Sequence, residues 1–264
     1  MGTTRNIFDR VAKLYDEIRP GYPKKLIEDV ISISNIPEDG WILEVGCGTG
    51  QATIPFAERG YHMVCLDPSK EMVSIAKKKL GGYPKVRIIQ TTFEEWQPGA
   101  ERFDLVVSAT AFHWVRAEIG YRKAAEVLKE SGHIAIFSNL HPTPYKGFFE
   151  EVQTVYRSVV PEWGVPDQVS TEKKIGLVER DINKTGLFEK VVVKKYHWSR
   201  SYTADQYIKL LSTYSNHQTL DGERREKLFR GVKALIEKRY GGRVRRPYLS
   251  VLFIARKLGQ QAVL

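Results

Sequence analysis

Along the chain, the spacing of the apolar positions changes twice. Phe8, Val11, Ala12, Tyr15 and Ile18 recur with the period of a helix, which Pro20 ends. Tyr22 and Pro23 open a second helical run through Leu26, Ile27, Val30 and Ile31, and 35–40 reads as a turn. From Trp41 onward, short unbroken apolar runs alternate with helical stretches. The pattern predicts strands at 41–45, 62–67, 86–90, 103–108 and 133–138, with helices at 51–59, 69–80 and 117–128. Unbroken rather than alternating apolar runs belong to parallel strands covered on both faces. The expected fold is therefore α/β, a doubly wound Rossmann-like and mostly parallel sheet whose ligand crevice lies at the carboxyl ends of the strands.

After Ser138 the alternation lapses. Runs at 190–198 and 248–256 are expected to pair as an antiparallel edge, and 148–160, 204–211 and 223–239 read as helical insertions covering the crevice. Short linkers and the absence of repeats predict one domain over 1–264. Within it, 1–40 forms a helical lid, 41–138 the ligand-binding core, and 139–264 the inserts with two edge strands.

Composition narrows the class. A chain of 264 residues, 42% of them hydrophobic, can bury a core without staples. Cys47 and Cys65 fall in apolar segments, outside any C-x-x-C or His-rich cluster, so no disulfide and no metal site is expected and a reducing cytoplasm fits. No basic-then-apolar leader and no apolar run approaching about 20 residues is present, which predicts a cytoplasmic protein with no membrane association. The net charge of +10 favours an anionic partner. Its densest clusters, at 77–79, 224–225 and 243–246, are dispersed and read as solvated helix faces or loops. Nucleic acid is accordingly disfavoured as a partner. Monomer and homodimer stay equally open.

The chemistry begins at 42–50, Ile-Leu-Glu-Val-Gly-Cys-Gly-Thr-Gly, where a buried strand ends in glycines at alternate positions. Without side chains there, backbone passes close to a ligand. Gln51 stands where a dinucleotide-binding G-x-G-x-x-G loop has its third glycine, which disfavours a nicotinamide cofactor. Asp67 ends the second strand, about 20 positions beyond Gly46, where an acid accepts both hydroxyls of a ribose or caps the helix starting at Pro68 and Ser69. Glu44 has no work to do for a phosphate, which helix-terminal amides bind unaided, and it suits a cation. A ribose and a cation together describe S-adenosylmethionine.

In these residues, and in Leu66-Asp67-Pro68-Ser69, Thr92-Phe93-Glu94, 103–114 and Val127-Leu128-Lys129-Glu130-Ser131-Gly132, the first half of the chain resembles class I S-adenosylmethionine-dependent methyltransferases. Phe8-Asp9-Arg10-Val11-Ala12, Tyr15-Asp16 and Arg19-Pro20-Gly21-Tyr22-Pro23 narrow the resemblance to the small-molecule branch that contains the trans-aconitate methyltransferases. Where that branch often has Lys-Pro-Gly-Gly before the fifth strand, this chain has Lys129-Glu130-Ser131-Gly132, keeping the glycine that a turn with positive φ needs. The resemblance implies that Glu44 bonds the methionine ammonium, that Gly46, Cys47, Gly48 and Gly50 supply the close backbone, and that Asp67 and Pro68 meet the ribose. It places Met72 and Thr92-Phe93-Glu94 around the adenine, with Ser108 at the cofactor's rim, and it implies S-adenosylhomocysteine as product.

For the acceptor, Ser108-Ala109-Thr110-Ala111 replaces the Asn/Asp-Pro-Pro-aromatic run of many amino-group methyltransferases. The expected target is therefore oxygen, carbon or sulfur of a small anionic metabolite. His113 is the candidate general base, set against simple packing with Trp114. Candidate acceptor contacts are Tyr15, Arg19, Tyr22, Phe112, Trp114, Tyr214 and His217. Two other readings stand beside this one: an RNA methyltransferase, and a protein that binds S-adenosylmethionine without turnover.

Overall fold

A computed structural model describes the backbone of residues 2–164 and 169–259, and side chains from Asp9 onward within them. Its strands are β1 (Trp41–Val45), β2 (His62–Asp67), β3 (Val86–Gln90), β4 (Phe103–Ala109), β5 (Leu128–Leu140), β6 (Val192–Thr203) and β7 (Arg243–Arg256). They form one sheet in the order β3-β2-β1-β4-β5-β7-β6, parallel from β3 to β5 with an antiparallel edge, as the sequence pattern predicts. The helices are α1 (Gly2–Ile18), α2 (Lys24–Ser34), α3 (Thr53–Ala57), α4 (Lys70–Lys79), α5 (Ala117–Val127), α6 (Phe148–Val159), α7 (Thr171–Lys184), α8 (Ala204–Leu211), α9 (Ser215–Gln218) and α10 (Gly222–Arg239).

The chain divides into two compact units. A sheet unit comprises Pro20–Asn139, Ile175–Tyr196 and Ser250–Leu264; a helical unit comprises Met1–Arg19, Leu140–Lys174 and His197–Leu249. In the sheet unit, β1 and β2 are buried almost throughout, and Ile42, Leu43, Val64 and Cys65 have no exposed surface. The strand order reverses between β1 and β4, which is where open parallel sheets bind ligands. At the opposite end of these strands, Asp104 of β4 accepts from the Trp41 amide and the Lys129 ammonium, both at 2.8 Å. The helical unit has its own core, in which Tyr202, Leu210, Leu228, Val232 and Ile236 are fully enclosed.

Four expectations are revised. The helix expected at 51–59 shrinks to the five residues of α3. The turn expected at 129–132 is a break in register: Phe103 pairs with Leu128, then Leu105 with His133. Gly132 has no positive φ, and what the position requires is the missing Cβ, which would lie 3.0 Å from the Phe103 carbonyl. Finally, the basic cluster 243–246 belongs to strand β7 rather than to a loop or helix face. The lysines at 77–79 do lie on a helix, in the last turn of α4, where they complement its dipole as Glu71 does in the first.

Candidate functional site

The loop after β1 is held to β2 by backbone bonds, with the Gly46 and Cys47 amides donating to the Leu66 carbonyl at 2.8 and 3.0 Å. Gly46 has φ +75, and a Cβ there would stand 2.3 Å from that of Ala111, in the loop after β4. Gly48 has φ +55 and faces open space where a side chain would be. Its amide donates to Asp67 Oδ2 at 2.9 Å, while Oδ1 accepts from the Ser69 amide at 2.9 Å. Asp67 therefore caps the turn into α4 and braces the glycine loop with one side chain. Ser69 completes the cap by accepting from the Met72 amide at 3.1 Å, and the Met72 side chain is buried.

Glu44 is the anomaly of this region. It is wholly buried; Oε2 accepts from the Thr53 hydroxyl at 2.6 Å and from the Cys65 thiol at 3.7 Å, and Oε1 has no partner. Burial pushes its pKa up to about 7, against the pull of those two donors, and the charge of Asp67 adds to the rise. An enclosed carboxylate oxygen without a donor fits a positively charged ligand group. The open cradle at Gly48 leaves space beside backbone for the rest of such a ligand. Burial also raises the thiol pKa values of Cys47 and Cys65, keeping both protonated.

After β3, Phe93 packs inward and stacks at 6.4 Å on Trp96. Thr92 accepts from the Glu95 amide at 3.1 Å, and Glu94 Oε1 accepts from the Arg116 amide at 3.0 Å, ahead of α5. At the end of β4, Ser108 donates to the Val45 carbonyl at 2.8 Å and ties β4 to β1. Thr110, two residues on, takes φ +57, a conformation that costs a β-branched residue. Its hydroxyl lies 2.7 Å from that of Tyr22, whose ring meets Phe137 edge-on at 4.8 Å. No side-chain pattern in the sequence marks Thr110. Phe112 is buried against Tyr121, whereas His113 and Trp114 are exposed, their rings 4.8 Å apart. The surrounding protein draws the His113 pKa below the usual imidazole range.

In the helical unit, Arg19 donates to the Thr213 hydroxyl at 2.7 Å and to its carbonyl at 3.0 Å, with Tyr15 and Tyr214 at 4.9 and 4.3 Å from the guanidinium carbon. His217 is buried with both ring nitrogens engaged, Nε2 at 2.8 Å from the Tyr156 hydroxyl and Nδ1 at 2.9 Å from Asn216 Oδ1. Burial, then the charge of Arg19, lowers its pKa to about 4, so it is a neutral, satisfied core histidine. Sequence reasoning missed Arg246, whose guanidinium carbon lies 5.1 Å from the Tyr248 ring centre and 5.8 Å from that of Phe149. Its only sequence signal is the alternation around it: Val244 is buried between exposed Arg243 and Arg245. Among the described residues, no three His, Cys, Asp or Glu side chains group to hold a metal, and no helix is long and apolar enough to cross a membrane.

Residues 42–132 match the family described as a methyltransferase domain. Among curated proteins, the chain is 28% identical over 147 residues to one from Saccharomyces cerevisiae described as a probable S-adenosylmethionine-dependent methyltransferase. That match covers 54% of this chain and 50% of the other. It is also 24% identical over 264 aligned positions to the malonyl-acyl-carrier-protein O-methyltransferase of Halalkalibacterium halodurans, covering 90% of this chain and 91% of that one. The chain spans about half the length of the curated relatives it matches first. In fold it resembles a phosphoethanolamine N-methyltransferase of Haemonchus contortus, solved with phosphomonomethylethanolamine and S-adenosylhomocysteine. Here the TM-score is 0.57 at 18% identity, over 96% of this chain and 60% of that one. Over 42–132, the stretch that carries the glycine loop and the first parallel strands, the chain is therefore similar to a methyltransferase domain. S-adenosylmethionine is named for the yeast relative, and S-adenosylhomocysteine is bound in the Haemonchus structure.

Proposed function

We propose that this protein methylates an oxygen, carbon or sulfur atom of a small anionic metabolite, within the branch that contains the trans-aconitate methyltransferases. The observation that carries the reading is the unpartnered Oε1 of buried Glu44 beside the glycine loop. S-adenosylmethionine supplies the electrophilic methyl on its sulfonium. Glu44 Oε1 accepts from the cofactor's ammonium, the backbone at Gly46, Cys47, Gly48 and Gly50 leaves room for the methionine portion, and Asp67 with Pro68 meets the ribose. Met72 and the segment Thr92-Phe93-Glu94 border the adenine, and Ser108 holds the end of β4 in register with β1. Tyr22 and Thr110 fix each other at that same strand end.

As acceptor contacts of the sheet unit we assign Phe112 and Trp114; in the helical unit, taken by itself, the contacts of Arg19 join Tyr15 and Tyr214, and His217 supports Tyr156. An ionised carboxylate needs no base, so most of the rate comes from holding it in line with the methyl carbon. His113, exposed and with a lowered pKa, is then dispensable: His113→Asn is expected to leave kcat within about twofold. Two buried, protonated thiols suit a reducing cytoplasm.

Calorimetry with S-adenosylhomocysteine tests the cofactor half, and absence of binding sinks the reading. The acceptor half is tested by incubating the protein with labelled S-adenosylmethionine and a library of acids, phenols and thiols, read by mass. Label appearing only in added RNA, with binding that weakens steeply in salt, would make it an RNA methyltransferase instead. Cofactor binding without label in any acceptor would favour a non-catalytic binder.

A further inference from the structure

The helical unit encloses a cation that its own residues do not neutralise. Arg246 extends from β7 among the rings of Phe149, Tyr214 and Tyr248, its guanidinium carbon 5.8, 6.0 and 5.1 Å from their centres. One Nη reaches the Tyr207 hydroxyl at 3.5 Å. The enclosed Nε–H has no acceptor, and Arg246 forms no ion pair among the described residues. Guanidinium stays charged at any accessible pH, and a buried donor left unpaired costs free energy.

A second orphan lies against the same ring. The His141 ring lies 4.4 Å from that of Phe149, tilted by 60°, and its Nδ1 sits 2.9 Å from the Pro142 carbonyl, which only accepts. The proton is therefore on Nδ1, leaving Nε2 as an enclosed lone pair with no donor to meet it. Burial, with the charge of Arg246 beyond it, lowers the His141 pKa to about 4, so the ring stays neutral at physiological pH. An unpaired cationic donor and an unpaired neutral acceptor both lie against Phe149, among contacts with Tyr145, Tyr207 and Tyr248, and one ligand with two complementary features would satisfy both.

We propose that Arg246 and His141 recognise a small planar hydroxycarboxylate, the carboxylate accepting from Arg246 Nε–H and a hydroxyl donating to His141 Nε2. This rests on the methyltransferase reading insofar as that ligand is the methyl acceptor. A phosphate fits less well, because its tetrahedral, strongly hydrated oxygens gain nothing from the surrounding rings, whereas a flat hydroxycarboxylate packs on them. Aromatic walls favour a flat, unsaturated or aromatic skeleton over a branched one.

The test uses the full chain saturated with S-adenosylhomocysteine, with arginine side-chain Nε–H signals followed by NMR and the Arg246 signal assigned through Arg246→Lys. The probes are 2-, 3- and 4-hydroxybenzoate, benzoate, the corresponding benzamides and inorganic phosphate. The expected result is a shift of the Arg246 Nε–H signal with at least one hydroxybenzoate, and binding at least about tenfold weaker for its amide. Arg246→Gln and Arg246→Lys should each lose that preference for the carboxylate, while S-adenosylhomocysteine affinity and melting temperature report an intact fold. His141→Phe should remove the advantage of hydroxybenzoate over benzoate. The proposal is overturned if no carboxylate moves the Arg246 signal, if phosphate alone does, or if Arg246→Gln binds hydroxybenzoate like the parent. Failure of the parent to bind S-adenosylhomocysteine would sink the methyltransferase reading instead, with the Arg246 titration still readable without cofactor.

Discussion

At the scale of the single residue, Glu44 sets stability against binding. Its folded pKa of about 7 lies above the ordinary value of 4.5, so its contribution to stability is complete below pH 4.5 and is lost as pH rises through 7. Glu44→Gln should therefore raise the stability of the cofactor-free protein at pH 8, by about 1–3 kcal/mol, while weakening S-adenosylhomocysteine binding at least about tenfold. Denaturant unfolding and calorimetry on the same samples check both halves; a variant with lower stability and unchanged affinity would contradict the argument. Binding of an ammonium lowers the Glu44 pKa, so cofactor affinity should fall as pH drops below 7, by up to about tenfold per unit, with proton release on binding. Titrations in buffers of different ionisation enthalpy measure that release.

Gly46 is constrained in two separable ways, by φ +75 and by the 2.3 Å approach of its absent Cβ to Ala111. Gly46→Ala should cost about 2–4 kcal/mol, and adding Ala111→Gly should recover only the steric share, leaving about 1 kcal/mol for the backbone. Thermal unfolding of the two single variants and the double variant separates the shares. Full rescue would mean that φ contributes nothing.

Among the elements, the joint between α2 and β6 depends on a charged residue. Asp29 is buried on α2 and accepts from the Tyr196 hydroxyl at 2.6 Å, with Lys25 and Lys194 at 2.9 and 3.2 Å. Burial alone would raise its pKa, yet these donors hold it at about 2, so the stability it contributes is present above the ordinary carboxylate range and lost as pH falls through 2. Asp29→Asn should lower stability at pH 7 by about 1–3 kcal/mol and narrow the gap between neutral and acidic melting temperatures. Melts at pH 7 and 3 read it directly. The strands β1, β2 and β3 were legible to the residue because short apolar runs bounded by turns have one reading. β6 and β7 were not, since Lys194 and Lys195 interrupt the run of the edge strand β6, and Arg243 and Arg245 that of its neighbour β7. Helix α7 escaped notice because it buries little beyond Ile175 and Ile182.

For the whole molecule, the same contrast separates what a sequence reports from what only packing reveals. The glycine loop was legible because its shape is written in backbone permissiveness and strand order, both local to 42–67. Arg246 was hidden in a basic cluster, and only the rings assembled from α6, α8 and β7 distinguish it from Arg243 and Arg245. The positive balance is partly absorbed elsewhere, as Arg224 is by Glu162 and Lys233 by Asp205.

The unpaired oxygen of Glu44 also bears on the protein's lifetime in the cell. A ligand that binds only the folded form stabilises it by mass action. Here the folded form lacks a counter-ion until that ligand arrives, so the unliganded chain opens more often and meets proteases more often. On the proposed reading that ligand is S-adenosylmethionine, so the protein's abundance should follow its supply, making the amount of protein a readout of the methyl donor.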